Sequence, residues 1–257
     1  MLILTGSSEG EIIDATRPII ASAAEVADAH VIAPHCHPRG QLLYAESGVM
    51  QVSVGLATWR VSPRLGVWVP SAMAHQVTAV AGISYRSLFV NPSFTHHLPR
   101  CGTALEIEPL TRELICEAAT FGADYLFDSA EARLIGVLQD RINRLSTAKL
   151  SLPLARDARA KRMCQALLDH PADDRSLAAW GRFVGASSRT LARLFLRETG
   201  LTFGAWVQTM RLTLSLERLA QGESVTRVAL ELGYATPSAF SAMFRRRLGA
   251  SPSRYRA

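Results

Sequence analysis

The sequence predicts an α+β chain of two domains. An N-terminal β-barrel is followed by amphipathic helices, and a C-terminal all-α domain carries a duplicated helix–turn–helix unit. Three observations point there. Short stretches rich in β-branched and aromatic residues fill residues 1–95 and give way to helical periodicity afterwards. A helical pattern between Gly185 and Gly200 recurs about 49 residues later, between Gly233 and Gly249. The net charge of +6 is divided unevenly: residues 1–152 carry 11 Lys/Arg against 14 Asp/Glu, and residues 153–257 carry 17 against 8. The expected boundaries are a barrel over 1–95, a helical dimerisation or linker region over 96–152, and the helix–turn–helix domain over 153–257.

In chain order, the predicted strands are Thr16–Ala23, Gln41–Ala45, Val49–Val54, Ala57–Val61, Gly66–Val69 and Ser84–Val90. Gly48, Gly55 and Gly66 are the expected hairpin positions. Many short strands with frequent turns suggest a sandwich or small barrel. Within them lie His35-Cys36-His37, Gln41, Pro70 and His75. Alternate strand residues share a face, so His35 and His37 are expected to point the same way from one strand. This pattern resembles the two metal-binding motifs of the cupin barrel, with Gly48, Gly66 and Pro70 in the glycine and proline positions. Gln41 stands where the cupin motif has an acidic ligand, which removes a negative charge from the set. Two readings stay open for His35, His37, Gln41 and His75. They form an effector or metal pocket suited to Zn²⁺, Ni²⁺ or Fe²⁺, or they are hydrogen-bonded interior residues of a metal-free sensor. His96-His97 reads as a loop leaving the barrel.

Helical periodicity begins with Pro109–Phe121 and continues in Ser129–Leu145. In the second helix Leu134, Leu138, Ile142 and Leu145 form one apolar stripe. It packs on its own barrel or pairs with its twin across a homodimer interface. Ser146–Pro153 reads as the interdomain linker.

The C-terminal domain opens with a helix from Arg156 to Leu168. Each repeat then has a short helix opened by Ser176-Leu177 or Ser224-Val225, a turn at Gly185 or Gly233, and a second helix ended by Gly200 or Gly249. Leu191, Leu194 and Phe195 match Phe240, Met243 and Phe244 as the buried stripe, while Ser187 and Thr236 are placed to cap, with Pro237 at the first helical position. A helix from Thr202 to Ala220 joins the copies. Such units place their second helix in a DNA major groove, and the basic balance of this half fits a polyanionic partner. Cys36, Cys101, Cys116 and Cys164 form no CxxC pair, as expected of free thiols in a reducing compartment. Met1-Leu2-Ile3-Leu4 is followed at once by polar residues, unlike a signal peptide, and no apolar run is long enough to span a membrane. A cytoplasmic location is expected.

The chain resembles the AraC/XylS family of transcription regulators. The resemblance rests on Ser187, Arg189, Leu191, Arg193, Phe195, Gly200, Trp206 and Arg211-Leu212. It continues through Val228-Ala229, Leu232-Gly233-Tyr234, Ser238, Phe240-Ser241, Phe244-Arg245-Arg246, Gly249, Ser251-Pro252 and Tyr255-Arg256. It implies recognition helices over Ser187–Glu198 and Thr236–Arg247 in adjacent major grooves of double-stranded DNA. Arg189 and Arg193 share one face as base readers, with Ser188 and Ala192 beside them. On the second helix Pro237, Ser238, Ser241 and Ala242 face outward but are poor in bidentate donors. Ser187, Thr236, Arg245, Arg246 and Arg247 are the expected phosphate contacts. The resemblance further implies a small-molecule effector, RNA polymerase as a partner, a homodimer, and a target beside a transporter gene. The competing reading is a metal-dependent cupin enzyme, of dioxygenase or isomerase type, fused to a DNA-binding module.

Overall fold

The computed structural model describes residues 16–255 apart from 56, 62, 64, 80–81, 124 and 149–151. The N-terminal stretch 1–4 and Arg256 lie outside the described residues. The chain divides at residue 152 into two compact units.

The first unit contains two antiparallel sheets. One orders its strands β1 (Ile19–Val26), β8 (Ile83–Val90), β3 (Gly40–Ser47), β6 (Leu65–Val69) and β9 (Thr103–Glu106). The other contains β5 (Ala57–Val61), β4 (Met50–Val54), β7 (His75–Ala79) and β2 (His30–His35) in that order. Strand β3 is buried along most of its length because both faces of its sheet are covered. Leu43 and Ala45 point towards the second sheet, joining Val52, Val67, Val69 and Val77 in the barrel core. Leu42 and Tyr44 point the other way, into a second cluster with Ile19, Leu88, Ile115, Leu138 and Ile142.

That outer cluster is roofed by helices α1 (Pro109–Phe121) and α2 (Ala130–Ile142). Ser129 caps α2 by accepting from the Ala132 N–H at 3.2 Å. The α2 stripe is therefore interior to the protomer. Leu138 and Ile142 are buried there, and Leu134 and Leu145 pack against the same cluster. This corrects the dimer-interface reading of Leu134, Leu138, Ile142 and Leu145, whose apolar face is satisfied by sheet residues of the same chain.

Other expectations change in detail. Strands β2, β7 and β9 escape sequence reading: β2 is largely exposed and carries Pro34, so it shows no alternation. Gly48 and Gly55 adopt positive φ at hairpins, but Gly66 lies within β6, where an added Cβ would approach Leu42 Cδ1 to 2.9 Å. The start of the expected linker belongs to the first sheet, since the Ala148 N–H donates to Ala104 O and the Glu106 N–H to Ser146 O.

In the second unit α3 (Ala158–Asp169) precedes the first helix–turn–helix, α4 (Leu177–Val184) and α5 (Ser188–Thr199). Helix α6 (Phe203–Ala220) leads to the second, α7 (Val225–Glu231) and α8 (Pro237–Leu248). Both recognition helices end on left-handed glycines, Gly200 at φ 71° and Gly249 at φ 72°. The core comprises Trp180, Leu191, Phe195, Trp206, Phe240 and Phe244, all at 0% exposure. Trp206 anchors it further, donating from its indole N–H to Pro153 O at 2.6 Å.

Candidate DNA-reading face and sensor site

Capping fixes where α5 begins. Ser187 Oγ accepts from the Thr190 N–H at 3.1 Å, and burial of Leu191, Leu194 and Phe195 turns the opposite face to solvent. Ser188, Arg189, Ala192 and Arg193 all lie on that exposed face, with Leu196 and Arg197 continuing it. Thr236 caps α8 in the same way, accepting from the Ala239 N–H at 3.1 Å. Ser238 and Ala242 are exposed there, but Pro237 and Ser241 are half-buried, so the outward face of α8 is narrower than expected. The Ser187 and Thr236 hydroxyls are committed to capping; a phosphate at either end would also meet free backbone N–H groups of the first turn.

Two sets of cations in this unit differ in what they engage. Arg159, Arg175 and Arg227 are tied to Asp157, Asp173 and Glu231. Arg189, Arg193, Arg245 and Arg246 engage no acceptor among the described residues and stand in solvent on the two recognition helices. Arg247 only touches Gln208 Oε1, at 3.4 Å. Unpaired guanidinium groups on these two helices are a ready set of phosphate and base-edge donors.

Two residues with no role assigned from sequence hold these helices in place. Glu198, near the end of α5, accepts from the backbone N–H groups of Arg156 at 2.8 Å and Asp157 at 3.0 Å. Burial alone would raise its carboxyl pKa, but these donors and the Arg197 guanidinium hold it below the usual value. Arg211 on α6 donates to Pro171 O at 2.8 Å and to Asp173 O at 3.3 Å, and lies over the Tyr234 ring. It thereby links the approach to the first helix–turn–helix with the turn of the second.

In the barrel, His35 ends β2 and pairs with His75 at the start of β7, while Gln41 sits near the start of β3. His37 lies beyond β2, in the connection to β3, which corrects the shared-strand reading. The backbone turn still brings its ring in: the centroids of His37 and His75 are 5.1 Å apart, and those of His35 and His75 4.2 Å. One ring nitrogen from each of the three histidines lies within 4.8 Å of the others. His37 and His75 are buried and His35 is half-buried.

Three main-chain carbonyls set the tautomers. His35 Nδ1 lies 2.8 Å from Ala33 O, His37 Nδ1 2.6 Å from Arg39 O, and His75 Nδ1 3.0 Å from Met73 O. A carbonyl only accepts, so each Nδ1 carries the hydrogen and each Nε2 of a neutral ring is left with a lone pair. Burial pushes the His75 pKa down to about 4, and burial also lowers that of His37 against the opposing hydrogen bonds from Gln41 and Arg39. Neutral imidazoles whose Nδ1–H is fixed by a carbonyl are the form in which histidine ligates transition metals, so the donor set fits Zn²⁺, Ni²⁺ or Fe²⁺. Beneath the histidines the barrel is filled by Leu43, Val52, Val67, Val69 and Val77, so a ligand would meet them at the end of the barrel, not deep inside. A cavity of about 280 Å³ lies elsewhere, between Trp68, Pro70 and the loop from Thr95 to Arg100.

Comparison with known proteins decides the family. Residues 180–257 match the family model of a helix-turn-helix domain, and residues 19–117 that of an AraC-like ligand binding domain. The HTH-type transcriptional regulator NimR of Escherichia coli (strain K12) is 37% identical over 223 residues, covering 86% of this chain and 81% of NimR. The chain belongs to the AraC/XylS family of transcription regulators. The probable transcriptional regulator LumQ of Photobacterium leiognathi is 24% identical across 86% of this chain and 90% of its own. Among solved structures, unsaturated fatty acid bound wild-type ToxT from Vibrio cholerae strain SCE256 covers 92% of this chain and 93% of its own, at 15% identity and a TM-score of 0.39. As a member of this family the chain combines a DNA-binding helix–turn–helix domain with a ligand-binding domain. Among the described residues no helix is long and apolar enough to cross a membrane.

Proposed function

We propose that this regulator reads its operator chiefly through α5 and adjusts that binding to a small molecule held at the three-histidine end of the barrel. The observation that carries the reading is the exposed face of α5, where Arg189 and Arg193 stand one turn apart and engage no acceptor among the described residues. Helix α8, with small residues at Ser238 and Ala242 and the run Arg245-Arg246-Arg247, adds mainly phosphate contacts. Such contacts position a protein on DNA without specifying sequence. The ligand domain contributes His35, His37 and His75, which would hold a divalent transition metal through Nε2 and present it to the effector.

RNA polymerase and a second copy of the chain are the protein partners proposed, with a neighbouring transporter gene as the target. The dimer surface would lie outside the α2 stripe. Attachment of two DNA readers to the barrel, together with relatives that are transcription regulators, supports a sensor over a metal-dependent enzyme. Footprinting the full-length protein on DNA flanking its own gene, with and without added divalent metal and candidate effectors, tests the reading. A protected site that responds to the additions is expected. Equal binding to flanking and scrambled DNA would overturn it.

A further inference from the structure

The cavity of about 280 Å³ beside Trp68 is separate from the barrel core, because Trp68 and Leu98 belong to the outer cluster under α1 and α2. Its floor is fixed in place. The Trp68 ring lies across Gly40, where an added Cβ would overlap it, and its indole N–H donates to Pro99 O at 2.9 Å. Pro70, Leu98 and Pro99 complete an apolar lining. The volume falls just below the range of about 300–1,000 Å³ that suits drug-sized ligands, which leaves room for one small ring or branched body.

The polar groups around it favour one charge. The Ser71 hydroxyl donates to Pro38 O and the Thr95 hydroxyl to Pro92 O, so neither hydrogen is available. None of the lining residues is acidic. What remain are the Arg100 guanidinium and the His96 imidazole, both exposed and engaging no acceptor among the described residues. A planar guanidinium beside apolar walls matches a carboxylate, whereas a phosphate has more oxygens and more charge than these two donors satisfy.

One wall also belongs to an element with two settings. Pro70–Met73 is a β-turn closed by the Met73 N–H on Pro70 O at 3.2 Å, and Ala72 stands at φ 59° in the position that normally takes glycine. Among the described residues no other non-glycine has a positive φ. The setting is held by the Ala72 N–H, which donates to His37 O at 2.9 Å, and by Ser71 on Pro38 O. Relaxing Ala72 to negative φ turns over the 71–72 peptide and withdraws that N–H from His37. A ligand packed on Pro70 and Ser71 favours the setting seen here.

We infer that this cavity binds a small monocarboxylate with a ring or branched apolar body, its acid group held by Arg100 and His96, and that the Pro70–Met73 turn carries the occupied state to the segment bearing His37. The site is a second ligand position beside the histidine cluster and shares no side chain with it.

This inference rests on the sensor reading for its regulatory meaning alone, since ligand binding and the His37 response are read without DNA. Benzoate is added stepwise to the full-length protein carrying ¹³C at histidine Cε1, and to Arg100→Leu, Arg100→Lys and Ala72→Gly. In the wild type the His96 and His37 resonances should shift together and saturate, while His170 of the C-terminal unit stays still. Arg100→Leu should weaken benzoate by roughly tenfold or more, with Arg100→Lys in between, as loss of a charge-assisted bond does. Ala72→Gly relieves the strain of the present setting without an added ligand. The His96 shift should therefore persist there while the His37 shift falls several-fold. No saturable His96 shift in the wild type, or equal affinity in Arg100→Leu, would overturn the inference. So would the same shifts with inorganic phosphate or neutral benzamide, or a full His37 shift in Ala72→Gly. Loss of specific operator binding by the ligand-free wild type would instead overturn the regulator reading and leave the cavity result standing.

Discussion

At the scale of single residues, the two kinds of exposed arginine should separate by what they cost. Arg193 stands exposed at mid-α5, whereas Arg246 sits in the last turn of α8 among like charges. Arg193→Ala should cost about 1–3 kcal/mol on the operator while leaving binding to scrambled DNA nearly unchanged. Arg246→Ala should weaken both alike and reduce the salt slope by about one counterion. Fluorescence anisotropy on both duplexes across a salt series checks this, and equal losses for Arg193→Ala would remove it from base reading. The exposed face of α5 was legible in sequence because helical spacing and a capping serine fix which side is buried. The histidine cluster was legible as a set, since His35, His37, Gln41 and His75 do come together. Ser87, Arg39 and Arg211 were not. Their partners lie 46, 50 and 40 residues away, and only strand register or helix packing supplies such contacts. Ser87 had one usable signal, since a polar residue on an otherwise apolar inward face of a strand needs a partner.

At the scale of elements, the α2 stripe shows the limit of periodicity. A run of Leu134, Leu138, Ile142 and Leu145 says that one face is buried, not which surface buries it. The structure assigns it to the chain's own sheet, so Leu138→Glu should prevent folding of the first unit instead of releasing a soluble monomer. Circular dichroism and size exclusion distinguish the outcomes, and a well-folded monomer would restore the dimer seam. Helix α5 gives a second case. Glu198 ties its last turn to the start of α3 through two N–H donors, and removing it as Glu198→Ala leaves both without that acceptor at a cost of about 1–3 kcal/mol. Its pKa is lowered in the folded state. The associated stability is therefore present above the ordinary glutamate pKa and fades as pH falls through the folded value. Denaturant unfolding of residues 152–257 at neutral pH and at pH near 3 should show the wild type losing part of its advantage over Glu198→Ala in acid. A constant difference would mean that the carboxylate's charge is irrelevant there.

At the scale of the whole molecule, charge and core are distributed by unit. The first 152 residues balance 11 cations against 14 acids, and the remaining 105 hold 17 against 8. The C-terminal unit has its own aromatic core of Trp180, Phe195, Trp206, Phe240 and Phe244, and its helix ends are capped from within. Residues 152–257 expressed alone should therefore fold cooperatively and bind the operator with the same ranking of Arg193→Ala and Arg246→Ala. Because the uncommitted arginines remain, the slope of log affinity against log salt per DNA-bound unit should match that of the full chain. What should disappear is the response to metal and effector, since every group proposed to hold them belongs to the first unit. Anisotropy titrations of the isolated unit and the full chain, run at matched salt with and without Co²⁺ and benzoate, make the comparison. A Co²⁺-dependent change in operator affinity that persists in the isolated unit would place the sensing chemistry in the reader itself, and the histidine centre would then have no part in regulation.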